Sequence, residues 1–136
     1  MNKQRKFGEF TVKALSEQTA AESSVPGLIQ RKILITKGTA EWSQEFIQYH
    51  YINWPDFGVP YDPSSLVELI DLLRAQDEIS ESDCLVHCSA GVGRTGTFIG
   101  MYWIMDMIDS GVENINVYNT VMEMRGQRTL MVSTTI

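Results

Sequence analysis

The stretch from His87 to Gly96, His-Cys-Ser-Ala-Gly-Val-Gly-Arg-Thr-Gly, holds a nucleophile and an anion clamp with small residues between them. Cys88 and Arg94 stand six positions apart. Gly91 and Gly93 let the backbone turn tightly, and Ser89 and Ala90 add little bulk. Such a loop can aim the N–H groups of Ser89, Ala90, Gly91, Val92 and Gly93 at one tetrahedral oxyanion. A helix starting near Arg94 adds the positive end of its dipole. The guanidinium can close the bowl with a two-pronged contact to phosphate oxygens. In an empty bowl the same donors favour a thiolate, and can bring a cysteine pKa from about 8.5 into the ~3.5–7.5 range. A thiolate at neutral pH is a nucleophile. Thr95 follows Arg94 directly, where its hydroxyl can reach the sulfur and help it leave.

A phenolate or alkoxide leaving from phosphorus also needs a proton. Asp56 lies within Trp54-Pro-Asp-Phe-Gly-Val-Pro60, a segment with too much proline and glycine for regular structure. A loop of this kind can close over the bowl, exclude water and deliver the acid. A positioned acid contributes roughly 10²–10⁴-fold. Once ionised, the same carboxylate can activate water. Neither a metal nor another cofactor is required, and no His/Cys/Asp cluster has metal-ligand spacing.

Taken singly, each residue has a plainer reading. A cysteine at a strand end is usually a small buried hydrophobe, and an aspartate after proline is usually turn chemistry. His50 reads as a strand residue, Cys84 as core, and Met101, Met105 and Met107 as helix core. The joint pattern outweighs these readings. It comprises Cys, five residues, Arg and Thr-Gly opening an apolar helix, with a Trp-Pro-Asp loop upstream.

The elements that must position these groups follow from periodicity. Phe10, Val12 and Ala14 alternate with Thr11, Lys13 and Leu15. Leu28 to Thr36 is rich in Ile and Leu, after a Pro26-Gly27 turn, and Lys37-Gly38-Thr39 makes the next turn. Trp42 to Asn53 predicts a long aromatic strand, so the first third reads as an antiparallel meander. A helix should start at Asp62-Pro63, with Leu66, Leu69, Ile70 and Leu73 on one stripe. Asp77 to Asp83 reads as an acidic connector and Cys84 to His87 as a short buried strand. Thr95 to Ile108 is apolar nearly all round and should be central and buried, ending at Ser110-Gly111. Asn114 or Asn116 should cap a last helix to about Met124, broken by Gly126. Strands first and helices later predict an α/β (α+β) fold, a mixed and largely antiparallel sheet flanked by helices.

A chain of 136 residues suits one domain, with 43% apolar and 21% charged composition. Its net charge of −6 disfavours nucleic acid as a partner. The basic stretch Met1 to Lys6 is followed by no apolar core, so no secretory signal is expected. Phe98 to Ile108 is too short for a membrane span and carries Asp106, so no membrane insertion is expected. Cys84 and Cys88 in an extended segment would lie about 13 Å apart. A disulfide needs Cα atoms within roughly 7 Å, which predicts free thiols and a reducing compartment.

The motifs at 54–60 and 87–96, in this order, resemble the cysteine-dependent protein tyrosine phosphatases of the tyrosine-specific receptor and non-receptor type. Phe7 to Val12, Met122 to Arg125 and Gln127-Arg128 extend the similarity across residues 1–136, as a partial fold covering about the C-terminal half of the family's catalytic domain. The resemblance implies an enzyme in the cytoplasm, or on the cytoplasmic side of a receptor-type parent, acting on phosphotyrosine-containing proteins. Cys88 would form a phosphocysteine, with amides 89–93 and Arg94 holding the phosphate. Asp56 would be general acid and then base, Trp54 a loop hinge, and Phe57 a flank for the substrate ring. His87 would tune the cysteine, Thr95 would assist breakdown of the phosphoenzyme, and Arg128 would lie behind the loop. Ser133 stands where the family usually places a water-positioning glutamine, and its shorter reach predicts slower hydrolysis. The alternative implied is a phosphotyrosine-binding module, or a fragment, with little turnover.

Overall fold

The computed structural model describes residues 4–38, 42–56, 58–76, 79 and 82–133. The chain forms two compact units, residues 1–55 with 60–69, and residues 56–59 with 70–136.

The first unit is built on an antiparallel meander of β1 (Gln4–Phe7), β2 (Phe10–Gln18), β3 (Leu28–Lys37) and β4 (Trp42–Tyr51), in that spatial order. Only β1 was not anticipated from the sequence. Gly8, at φ +59°, turns it into β2, with Phe7 opposite Phe10. β3 pairs with β4 without interruption from Leu28↔Tyr51 to Lys37↔Trp42. Leu15 is the extra residue of a bulge between the Ala14↔Ile33 and Ser16↔Lys32 pairs. Gly27, at φ +81°, turns the chain into β3, where a Cβ would collide with the Asn53 side chain. Across the sheet, Arg31 ties β2, β3 and β4 together by contacts to Glu17, Gln48 and His50. The core of this unit contains Val25, Leu28, Trp54, Leu66 and Leu69.

α1 runs from Pro63 to Arg74. Asp62 Oδ1 accepts from the Ser64 amide at 3.0 Å, and Pro63 occupies the first turn, where its missing N–H costs nothing. The apolar stripe read from the sequence is the buried one, with Ile70 fully buried.

In the second unit, α2 spans Gly93–Asp109 and α3 spans Val117–Gln127. Asn116 caps α3 by accepting from the Asn119 amide at 3.1 Å. Gly126 does not break α3, because the Arg128 amide closes the last turn on Met124 O at 2.9 Å. A single glycine costs a helix about 1 kcal/mol, too little to end one that is otherwise satisfied. Gly111, at φ +75°, ends α2 as expected.

Two expectations fail here. Cys84 to His87 has no ladder partner among the described residues, Cys84 is exposed, and Leu85 is 87% exposed. An apolar run has strand propensity, but a strand exists only when a neighbour completes its hydrogen bonds. Similarly, α2 buries only Thr95, Gly96 and Gly100, and Ile108 is 57% exposed. All-round hydrophobicity describes what a helix can bury, and α2 has few described elements packed against it. The acidic connector at 77–83 falls mostly outside the described residues.

Candidate active site

The loop from Cys88 to Val92 runs directly into α2. Gly91 takes φ +70°, a left-handed conformation that closes the turn and that a side chain would strain. The turn brings the Gly91 amide to 3.2 Å from Cys88 Sγ, donating to it. Partial burial opposes ionisation of this thiol. The Thr95 hydroxyl and the amides of Thr95, Gly91 and Val92 more than offset that effect, and the pKa falls from 9.0 to about 6. Thr95 Oγ1 is buried and has no hydrogen bond of regular geometry among the described residues.

Arg94, in the first turn of α2, points to the same mouth. Its Nη2 donates to Ser89 Oγ at 3.0 Å and pairs with Asp56 Oδ1. Ser89 Oγ donates to Asp56 Oδ1 at 2.8 Å. A carboxylate is therefore paired with the loop's arginine at its mouth. Asp56 is about half exposed there, so it can leave without a buried charge being stranded.

The other expected residues are placed as follows. Ser89 and Ala90 are exposed at the loop, and Gly91, Val92 and Gly93 are half-buried within it. His87 is exposed, with Nδ1 3.4 Å from the Cys88 carbonyl, a long contact that offers slight support. Trp54 is buried in the core of the first unit. Phe57 lies outside the described residues. Both cysteines are free, and Cys84, expected in the core, is exposed. Among the described residues no group of three or more His, Cys, Asp or Glu converges as a metal site.

Behind the loop lies a layer that the sequence only partly announced. Arg128 Nε donates to Gly91 O at 2.9 Å. The Val132 amide donates to Val92 O at 2.9 Å. Leu130 and Val132 adopt φ +66° and +58°, which costs non-glycine residues roughly 1–3 kcal/mol each. Arg125 Nε holds the intervening Met131 O at 2.9 Å, and Met131 is buried. Glycine is required where this segment touches α2. A Cβ on Gly96 would lie 2.4 Å from Val132 N, and one on Gly93 would lie 2.7 Å from Ser133 O. Gly96 was visible only as the end of a motif, and nothing in Leu-Met-Val signals left-handed backbone.

This geometry agrees with what similar proteins are. The family model described as protein-tyrosine phosphatase matches residues 1–136. Tyrosine-protein phosphatase 69D of Drosophila melanogaster is 31% identical over 133 residues, which is 94% of this chain and 9% of that protein. Receptor-type tyrosine-protein phosphatase C of Homo sapiens is 35% identical over 129 residues, again 94% of this chain and 9% of that protein. The solved structure of the Trypanosoma brucei protein tyrosine phosphatase TbPTP1 superposes with a TM-score of 0.78 at 34% identity, over 90% of this chain and 41% of that one. The chain thus spans about a tenth of the curated relatives' length and less than half of the solved structure. On its fold, its loop and its full-length match to the family model, the chain belongs to the protein tyrosine phosphatase family.

Proposed function

We propose that residues 1–136 are part of one catalytic domain that hydrolyses phosphotyrosine in proteins through a phosphocysteine. The observation that carries this reading is the pairing at one loop of a thiol with pKa about 6 and an arginine already holding an anion. Near neutral pH, Cys88 is mostly thiolate. Its sulfur attacks phosphorus while the amides of 89–93 and Arg94 hold the equatorial oxygens. The bond from phosphorus to the tyrosine oxygen breaks, and Asp56, protonated, gives that oxygen its proton. Water then attacks the phosphocysteine, Asp56 takes the proton, and the S–P bond breaks to return the thiolate. The Thr95 hydroxyl, which favours the charged sulfur, assists that departure.

Asp56 and a phosphate compete for Arg94, so substrate entry displaces the carboxylate from the position it now holds. Ser133 replaces an amide side chain with a short hydroxyl, so the second step is the slower one. A free thiolate of this kind operates in a reducing compartment, which points to the cytoplasm. Among the described residues no helix is long and apolar enough to cross a membrane.

The test is hydrolysis of an aryl phosphate by the purified chain, with Cys88→Ser expected to abolish it. Iodoacetamide should label Cys88 at a rate that rises through pH about 6, since the depressed pKa puts the thiolate above that point. Persisting turnover in Cys88→Ser would sink the mechanism. Release of one equivalent of phenol without further turnover would favour the phosphotyrosine-binding alternative.

A further inference from the structure

Three polar groups at the mouth of the loop satisfy one another. Each terminal guanidinium nitrogen carries two hydrogens. Arg94 Nη2 gives one to Asp56 Oδ1 and the other to Ser89 Oγ, the latter at 3.0 Å. The single hydroxyl hydrogen of Ser89 goes to the same Asp56 Oδ1 at 2.8 Å. The triangle is closed, and a new acceptor at Nη2 must break one of its sides. Asp56 and Ser89 are exposed and Arg94 is half-buried, so water reaches the group. An exposed ion pair alone is weak, because water competes for both partners. Ser89 reinforces this one from both ends. Its oxygen accepts from the guanidinium and its hydrogen is donated to the carboxylate, and hydrogen bonds to charged groups are the strong ones. Ser89 directly follows Cys88 and belongs to the loop, whereas Asp56 reaches it from 33 positions earlier in the chain.

We propose that the Ser89 hydroxyl is a latch, which holds the Asp56 carboxylate on Arg94 when no phosphate is bound and makes that carboxylate a built-in competitor of phosphate. The proposal rests on the reading of residues 88–94 as a phosphate site. Ser89 is then a positioning residue, acting through Asp56 and Arg94. Phosphate that takes the Nη2 hydrogens breaks two sides of the triangle and frees Asp56 for the leaving oxygen. After hydrolysis the exchange runs backwards. The carboxylate returns to Ser89 and Arg94, and inorganic phosphate loses its guanidinium contact. The latch therefore lowers affinity for phosphate and favours release of product. Its size follows from populations, since apparent affinity equals intrinsic affinity scaled by the fraction of molecules with Arg94 undocked. Without the hydroxyl the docked fraction falls, so phosphate binds more tightly.

The test measures how well inorganic phosphate protects Cys88 from iodoacetamide, which needs no turnover. A Cys84→Ser background removes the other thiol, which is exposed. The half-protecting phosphate concentration at neutral pH is compared for the parent, Ser89→Ala, Ser89→Thr, Asp56→Ala and the double variant Ser89→Ala/Asp56→Ala. Each protection curve is scaled to the same variant's rate without phosphate. Ser89→Ala should lower the half-protecting concentration by about three- to tenfold. Ser89→Thr, which keeps the hydroxyl, should stay near the parent. Asp56→Ala should lower the concentration at least as far as Ser89→Ala. Adding Ser89→Ala to Asp56→Ala should then change nothing, because the latch has nothing left to hold. Unchanged or weaker protection in Ser89→Ala overturns the latch, and so does an equal effect of Ser89→Ala with and without Asp56, which would mean that the hydroxyl acts on phosphate itself. If Ser89→Ala does not fold by circular dichroism and thermal melt, Ser89→Gly is read in its place with the same outcomes. Absence of protection in every folded variant would refute the phosphate-site reading together with the latch. Protection that Ser89→Ala leaves unmoved would refute the latch alone.

Discussion

The meander and the phosphate-loop unit are stabilised in opposite ways. The β3–β4 ladder runs ten residues without a break, and each pair repeats the same kind of contact. Loss of one pair leaves its neighbours intact. The loop has no ladder. Its shape depends on single, dissimilar contacts, namely Arg128 on Gly91 O, Val132 N–H on Val92 O, and a close approach that only glycine at 96 permits. Redundancy suits a scaffold, which must only persist. A site that shifts the pKa of one sulfur must hold several dipoles in fixed directions, and each direction has its own cause.

Substitutions can sharpen or break this contrast. The largest effect should come from Arg94→Lys, which keeps the charge but loses the planar two-pronged contact. It should lower kcat for an aryl phosphate by about 10²–10³-fold with little change in the thermal midpoint. A loss under tenfold would mean the loop is more redundant than its geometry implies. Next, Leu28→Ala removes a buried side chain from the first unit and should cost about 2–5 kcal/mol in denaturant unfolding. Cys88 should still alkylate with the parent's pH midpoint while the chain is folded. A displaced midpoint would show that the scaffold also tunes the thiol. The smallest effect should come from Asn116→Ala, which removes the α3 cap at a cost of about 1 kcal/mol by thermal melt. A much larger loss would make α3, which precedes Arg128, a weak point of the loop's support.

The sequence alone determined whatever depends on local chemistry. Alternation and turn residues gave the meander strands, and Asp62-Pro63 gave the start of α1. The curled loop carrying Cys88 and Arg94 was legible because short-range geometry lets a Cys-x5-Arg segment with two glycines turn tightly. Asp56 was legible as the carboxylate to look for beside that loop, and the structure pairs it with Arg94. Tertiary structure decided what depends on partners distant in sequence. Whether Cys84 to His87 is a strand, and whether α2 is buried, depends on neighbours that propensity does not contain. The left-handed Leu130 and Val132 are likewise a tertiary outcome, because no local preference of leucine or valine selects that backbone. The loop's curl is therefore written in its own residues. The donors that meet its outward carbonyls come from a segment some 35 to 40 positions further along, because a carbonyl that cannot be satisfied locally must find its partner wherever the fold supplies one.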